Sequence, residues 1–200
     1  MPRKTSKRDS REDARLVRSC RKGDGEAFAA LVTRYQDPVY NIAYRMVGDR
    51  EEARDLAQEA FVRAYERIDS FDPSLPFSAW IYRIATNAAI DHLRRRKGGQ
   101  VSIETAFGDG QPSALDRAAA RDAPDAGLPE SVTISNEVSR VVRGAVLRLP
   151  GNYRAVVVLH HLEELSYSEV GRVMGIPKNT AKTWARRARA ILCESLEGVI

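Results

Sequence analysis

Residues 165–192 read LSYSEVGRVMGIPKNTAKTWARRARAIL and carry the clearest structural signal in the chain. Ser166 and Glu169 have the spacing of a capping box, in which each side chain satisfies the other residue's backbone donor. Gly175 suits a tight turn, and Pro177 suits the first turn of a following helix. The stretch therefore predicts a short helix, a turn and a second helix, which is the geometry of a helix-turn-helix DNA reader.

The second helix of this unit is rich in basic and small polar side chains. Lysines and arginines engage phosphates, while polar residues near the start of such a helix can reach base edges. The candidate DNA-binding residues are Lys178, Asn179, Thr180, Lys182, Thr183, Arg186 and Arg187. Charge alone leaves an alternative open, because a solvated helix in an ordinary bundle has a similar composition.

A change in composition separates this unit from the N-terminal half of the chain. Residues 98–132 are rich in glycine, proline and acidic residues and have no sustained apolar periodicity, which predicts a flexible linker. The formal net charge of the chain is +5, so the parts outside this acidic segment are more basic than the total suggests. We expect a basic disordered tail over 1–13, a first domain over 14–97, and a second domain over 133–200.

Helical periodicity dominates the predicted first domain. Apolar residues recur at helical spacing from Phe28 to Met46 and from Leu56 to Ile68, and a third helix is expected to begin near Phe77. Pro38 is expected to kink or divide the first of these helices. Since no alternating strand pattern is present, the predicted fold is all-α, with an N-terminal helical bundle and a C-terminal helix-turn-helix domain.

Two polar stripes are candidate functional surfaces in this first domain. One lies opposite the apolar face of the helix around 53–68 and consists of Asp55, Gln58, Glu59 and Arg63. The other consists of Arg83, Asn87, Asp91 and Arg94, after an aromatic helix start at Phe77 and Trp80. An asparagine can pair bidentately with a base edge and arginines can hold phosphates. Ion pairing within the second stripe, and Trp80 as a core residue, remain alternatives.

Several other classes of protein are disfavoured by what the sequence lacks. It has no glycine-rich phosphate loop, no His/Cys cluster and no nucleophile motif, so we expect no enzyme activity, cofactor or metal site. Glu59 and Glu66, two turns apart on an exposed helix, lack the burial that tunes a catalytic carboxylate pair. No apolar run reaches the roughly 20 residues of a membrane span. We therefore expect no membrane insertion. The only cysteines, Cys20 and Cys193, suggest neither a zinc site nor a disulfide framework, so a reducing, cytoplasmic setting is expected.

The motifs together resemble the extracytoplasmic-function (ECF) group of bacterial RNA polymerase sigma factors. The matching segments, in the family's order, are GDGEAFAALVTRY, ARDLAQEAFVRAY, FSAWIYRIATNAAIDHLRRR, LPGNYRAVVVLHHLEELSYSEVGRVMGI and KNTAKTWARRAR. Each segment alone is modest, whereas the ordered set is highly specific. They cover the chain apart from the basic tail and the linker.

The resemblance implies a factor that directs promoter recognition, DNA melting and transcription initiation. Asp55, Gln58, Glu59 and Arg63 would bind core RNA polymerase. The Arg83 to Arg94 stripe, together with Phe77 and Trp80 as further DNA contacts, would read the minus-ten element. Asn87 would lie beside the unpaired bases, and the loop Asp69–Phe77 would hold a flipped base. The helix after Pro177 would read the minus-thirty-five element of promoter DNA. An anti-sigma factor is an implied partner, and a stand-alone helix-turn-helix regulator is the alternative function.

One segment departs from the family pattern. Where family members usually have GTVKSRL, this chain has NTAKTWA, from Asn179 to Ala185. Asparagine tolerates the backbone conformations of glycine better than most residues do. Trp184 stands where an arginine is common, and a tryptophan cannot hold a phosphate as an arginine does. Whether Trp184 contacts DNA is therefore a question for the structure.

Overall fold

The computed structural model describes residues 7–96 and 134–197, which form eight α-helices and no strand. The first domain contains α1 (Lys7–Cys20), α2 (Gly25–Val47), α3 (Arg50–Glu66), a 3₁₀ turn (Ile68–Ser70) and α4 (Phe77–Arg96). The second contains α5 (Ile134–Arg148), α6 (Gly151–Val157) with a π-helical turn (Val158–Leu162), α7 (Tyr167–Met174) and α8 (Lys178–Leu196). The predicted all-α fold with two helical domains is confirmed, while the predicted linker over 98–132 lies outside the described residues.

Capping side chains define where the helices of the first domain begin. Asp24 accepts a hydrogen bond from the Ala27 backbone at the start of α2, and Asp49 accepts two from the first turn of α3. Gly48 ends α2 at a φ of 85°, a conformation that favours glycine. The helix α2 continues through Pro38, so the expected division there is wrong. Buried residues on both sides of Pro38 hold the helix on the core despite the missing backbone donor.

The helix α1 corrects the prediction of a disordered tail over 1–13, which is wrong from Lys7 onward. Asp13 is buried and accepts hydrogen bonds from the Tyr35 hydroxyl at 2.5 Å and from Arg34 Nη1 at 2.6 Å. Burial raises the pKa of the Asp13 carboxyl, while its bonds to Tyr35 and Arg34 act in the opposite direction. These bonds attach α1 to α2, which a reading of charge and hydropathy alone could not detect.

A shared apolar core joins the two domains. One cluster lies within the first domain and includes Leu31, Val39 and Ile81. The other cluster combines residues from α2 and α4, such as Ile42 and Ala89, with residues from α6 and α7 in the second domain. Since apolar burial is the main favourable term in folding, this second cluster stabilises the contact between the domains.

Arg154 supplies the central polar contact between the domains. Its guanidinium is buried and donates hydrogen bonds to the carbonyl of Met46 in the first domain and to those of Leu147 and Leu149 in the second. Burial lowers the pKa of Arg154 to about 10, so the group still carries its charge at neutral pH. One cation therefore satisfies carbonyls near the C-terminal ends of α2 and α5.

A second polar contact joins Arg45 of α2 to the π-helical turn. Arg45 Nη1 lies 2.8 Å from Glu163 Oε1 and donates to the Leu162 carbonyl at 2.9 Å. The Glu163 side chain is only 4% exposed, and burial raises its pKa against the lowering effect of Arg45. Together, the Arg45–Glu163 pair and the Arg154–Met46 bond are called the interdomain contact.

We expect Arg45→Ala to weaken the interdomain contact, because the substitution leaves the Glu163 carboxylate buried beside no cation from α2. Breaking a buried pair costs several kcal/mol, and partial exposure of Arg45 reduces this to about 2 kcal/mol. Urea denaturation measures the free energy of unfolding, and small-angle X-ray scattering measures the radius of gyration, which should increase.

The exposed Arg148 of α5 provides a matched control, since Arg148→Ala removes the same side chain away from this pair. Arg45→Met combined with Glu163→Leu should recover most of the stability, because an apolar pair replaces the buried charges. An unchanged radius together with a stability equal to that of the control would contradict the assigned role of Arg45.

Candidate nucleic-acid interface

The helix-turn-helix predicted from residues 165–192 is present and is fixed by local hydrogen bonds. The Ser166 hydroxyl accepts from the Glu169 backbone at 3.3 Å, and Glu169 Oε2 accepts from the Ser166 backbone at 2.8 Å. The predicted capping box is therefore confirmed. Gly175 has a φ of 68° and ends α7 in the left-handed region.

Gly171 lets the turn close tightly on the preceding helix. A Cβ at this position would lie 2.7 Å from the Ile176 carbonyl oxygen, closer than real side chains allow. The same turn is held by a hydrogen bond from the Ile176 backbone to the Gly171 carbonyl at 2.9 Å. The angle between α7 and α8 thus depends on a glycine that the sequence analysis did not single out.

The predicted DNA-binding residues occupy one side of α8 but are not equally presented. Four are exposed, namely Lys178, Asn179, Lys182 and Arg186, whereas Thr180, Thr183 and Arg187 are half-buried. The Thr183 hydroxyl donates to the Asn179 carbonyl at 3.0 Å, so its proton is used within the helix. The exposed members combine three cations with one uncharged base-reading side chain near the N-terminus of the helix.

Trp184 belongs to the core of the second domain. Its side chain is 5% exposed, and its ring lies 6.1 Å from that of Tyr153 in an edge-to-face arrangement. It shares the buried face of α8 with three alanines, Ala181, Ala185 and Ala188. This packing excludes a contact between Trp184 and DNA in the folded domain. The spacing 181, 184, 185, 188 is an inward-facing helical pattern and could have placed this residue from sequence alone.

The second stripe lies on α4 as predicted. Arg83, Asn87 and Asp91 are exposed and Arg94 is half-buried. Arg94 Nη1 and Asp91 Oδ1 are 3.7 Å apart, so the C-terminal end of the stripe contains a long ion pair. The alternative of a salt-bridged stripe thus describes this end, whereas Asn87 keeps an exposed amide one turn away.

The aromatic residues at the start of α4 have a structural role. Phe77 is 1% exposed, so its predicted role as a DNA contact is wrong for the folded domain. Its ring packs against Tyr35, Phe71 and Trp80, with centroid distances of 5.4 to 5.6 Å. Trp80 is half-buried in the same cluster. These rings support the loop that runs from Asp69 to Pro76.

The two candidate DNA-reading surfaces touch each other in this structure. The helix α7 packs against α4. A Cβ at Gly175, in the helix-turn-helix turn, would lie 3.2 Å from Arg83 Nη2. The first residue of the α4 stripe therefore lies against the turn that precedes α8.

A third candidate surface lies on α3 and combines charge with exposed apolar side chains. Asp55 and Gln58 are exposed, and Glu59 pairs with Arg63 at 2.6 Å. Sequence analysis missed the apolar part of this helix, where Val62 is 57% exposed and Tyr65 is 55% exposed. Val62 lies three residues after Glu59, which places it on the same face. Exposed apolar residues rimmed by polar ones are typical of a protein interface.

Other kinds of site receive no support from the described part of the chain. Within residues 7–96 and 134–197, no group of three or more His, Cys, Asp or Glu side chains could hold a metal ion. Cys20 is buried and Cys193 is exposed, and neither forms a disulfide. None of the described helices is both long enough and apolar enough to cross a membrane.

An exposed basic helix that follows a tight turn is the arrangement of a helix-turn-helix DNA-binding protein. Family models agree with this class: sigma-70 region 2 matches residues 31–98, and sigma-70 region 4 matches residues 139–192. Two solved structures share the fold at TM-scores of 0.63 and 0.60, namely CnrH with the cytosolic domain of CnrY, and the sigma factor RpoE with the anti-sigma factor NepR from Bartonella quintana. They are 22% and 21% identical and cover 93% and 86% of this chain, and 97% of each solved chain is matched.

Curated relatives are more similar in sequence. The ECF RNA polymerase sigma factor SigW of Bacillus subtilis is 42% identical over 90% of this chain and 94% of its own length. The ECF RNA polymerase sigma-E factor of Escherichia coli K12 is 32% identical over 94% of this chain and 96% of its own length. The chain belongs to the ECF family of RNA polymerase sigma factors. It is a polymerase-binding, promoter-recognising initiation factor, and its family is one of initiation factors rather than enzymes.

Proposed function

We propose that three surfaces of this sigma factor divide the work of initiation. The α3 face with Asp55, Gln58, Glu59 and Arg63 binds core RNA polymerase. The α4 stripe and the loop before it read the minus-ten element, and the first turns of α8 read the minus-thirty-five element. The observation that carries this division is the exposure of Asn87 and Asn179, one uncharged base-reading side chain on each of two separate helices.

Polymerase binding is assigned to α3 because this helix combines carboxylates with exposed Val62 and Tyr65. Interfaces between proteins typically have an apolar centre and a polar rim. The basic surface of α8, by contrast, suits a polyanion. A stand-alone regulator would need no such protein-binding face.

We further propose that the chain acts in the cytoplasm, where bacterial polymerase and promoters are found.

Charge reversal on α3 tests the polymerase-binding face. We expect Asp55→Lys with Glu59→Lys to reduce co-purification with core polymerase at least tenfold, because like charges across an interface cost more than about 1.4 kcal/mol. Glu26→Lys with Asp37→Lys, at exposed positions of α2, is a control with the same change in net charge. Circular dichroism should show the same helical content in all variants, and unchanged binding of the double variant would place the interface elsewhere.

Asparagine replacements test the two DNA readers against each other. We expect Asn87→Ala to change the preferred minus-ten sequence alone, and Asn179→Ala to change the preferred upstream sequence alone. A lost bidentate contact is worth about 1–3 kcal/mol of discrimination. Selection from randomised promoters by the holoenzyme measures both preferences, and each variant serves as the control for the other. A shift of the upstream element in Asn87→Ala, or no shift in either element, would refute the assignment of α4.

We propose that an anti-sigma protein is a further partner. Support comes from the RpoE structure, a similar fold that holds the anti-sigma factor NepR. The exposed α3 face and the basic side of α8 are the surfaces that such a protein would cover to block polymerase and DNA. Affinity capture of the chain from its own cells under uninduced growth should yield a partner besides polymerase that represses run-off transcription. Recovery of polymerase subunits alone would count against the proposal.

A further inference from the structure

Arg21 forms hydrogen bonds to the loop that precedes α4, although the two are far apart in sequence. This residue follows the last residue of α1, and its backbone continues the final turn with a bond to the Val17 carbonyl. Its guanidinium donates to the carbonyls of Ile68, Asp69 and Phe71, at distances between 2.5 and 3.2 Å. These acceptors lie 47 to 50 residues later in the chain, so one side chain joins two distant segments.

The acceptors are placed where the 3₁₀ turn leads into the loop. Nearby hydrogen bonds are local, such as those from the Ser70 hydroxyl to the Arg67 carbonyl and from the Ser74 backbone to Asp72 Oδ1. On its far side the loop is held by the ring of Phe71, which packs 5.3 Å from Trp80. The loop is thus fixed by Arg21 at its first residues and by the aromatic cluster beneath it. Its tip, residues 72–75, remains exposed.

We propose that Arg21 is a positioning residue for recognition of the opened minus-ten element, acting through this loop. The inference rests on the proposed function, in which the loop contacts an unpaired promoter base. Arginine suits the task because its planar fork presents five donors in fixed directions, whereas lysine presents a single mobile ammonium group. A loop that is already ordered loses less conformational freedom when a base binds.

A positioning role for Arg21 differs in its physical basis from the role of an arginine that contacts DNA directly. A phosphate contact would depend on charge, and losing it would lower the salt dependence of binding by about one unit of slope. A positioning residue depends on the fork geometry and leaves that slope unchanged. Arg21→Lys keeps the charge but loses the two separate donor nitrogens, Nε and Nη2, that reach the loop carbonyls, so this variant distinguishes the two roles.

The test uses holoenzyme reconstituted with the full chain and two promoter libraries, one randomised only in the minus-ten element and one only upstream. We expect Arg21→Ala and Arg21→Lys to weaken minus-ten selection to a similar extent, about tenfold, through loss of preorganisation. Upstream selection and the salt slope should not change. Arg18→Ala, in the last turn of α1, is the matched control, since Arg18 Nε donates to the Ala14 carbonyl of its own helix.

Two further variants make the outcome decisive. Arg34→Ala breaks the ion pairs of α2 with Glu12 and Asp13 on α1 without touching the loop, so it reports general loosening of α1. If Arg34→Ala reproduces the minus-ten defect, or if Arg21→Lys behaves like the unaltered chain, the positioning role is overturned. Ser74→Gly with Leu75→Gly changes the loop tip directly. A shift of minus-ten preference in this variant but not in Arg21→Ala refutes the inference alone, whereas no shift in the tip variant refutes the proposed role of the loop.

Discussion

The buried guanidinium of Arg154 is the contact on which the observed arrangement of the two domains depends. It donates to carbonyls near the C-terminal ends of α2 and α5, and those ends belong to different domains. Buried carbonyls without a donor cost free energy, and a buried cation is tolerated only where several acceptors surround it. In this arrangement the carbonyls gain a hydrogen-bond donor, and the buried guanidinium of Arg154 gains several acceptors. The apolar residues of α2, α4, α6 and α7 pack around this point.

The same principle, one arginine satisfying several carbonyls, recurs at Arg21. There the acceptors precede an exposed loop within the first domain. The two arginines differ in consequence, because Arg154 acts across the domain boundary and Arg21 acts within one domain. A change in how the domains are arranged would break the Arg154–Met46 bond and leave the bonds of Arg21 intact.

Sequence could predict the features whose causes are local. The capping box at Ser166 and Glu169 needs only two residues three apart, and the stripe from Arg83 to Arg94 needs only helical periodicity. The burial of Asp13 could not be predicted, because it depends on Arg34 and Tyr35, which lie 21 and 22 residues later in the chain. Phe77 was assigned to DNA for its residue type, whereas its environment is set by aromatic side chains from three segments. The shared core between the domains was also missed, since composition says nothing about contacts between distant helices.

The observed arrangement has a consequence for promoter recognition under the proposed assignment of the readers. The two promoter elements lie roughly 25 base pairs apart, which is on the order of 80 Å along a duplex. In this structure, however, Arg83 of the minus-ten reader lies against Gly175 of the upstream reader. Both elements cannot be bound at once until the domains separate.

Separation of the domains breaks the Arg45–Glu163 pair and the Arg154–Met46 bond, and it exposes apolar surface of α2 and α4. Binding to polymerase must offset this cost, because a partner shifts such an equilibrium only by its difference in affinity for the two states. The bonds of Arg21 lie wholly within the first domain, so the loop that precedes α4 keeps its position while the domains move apart.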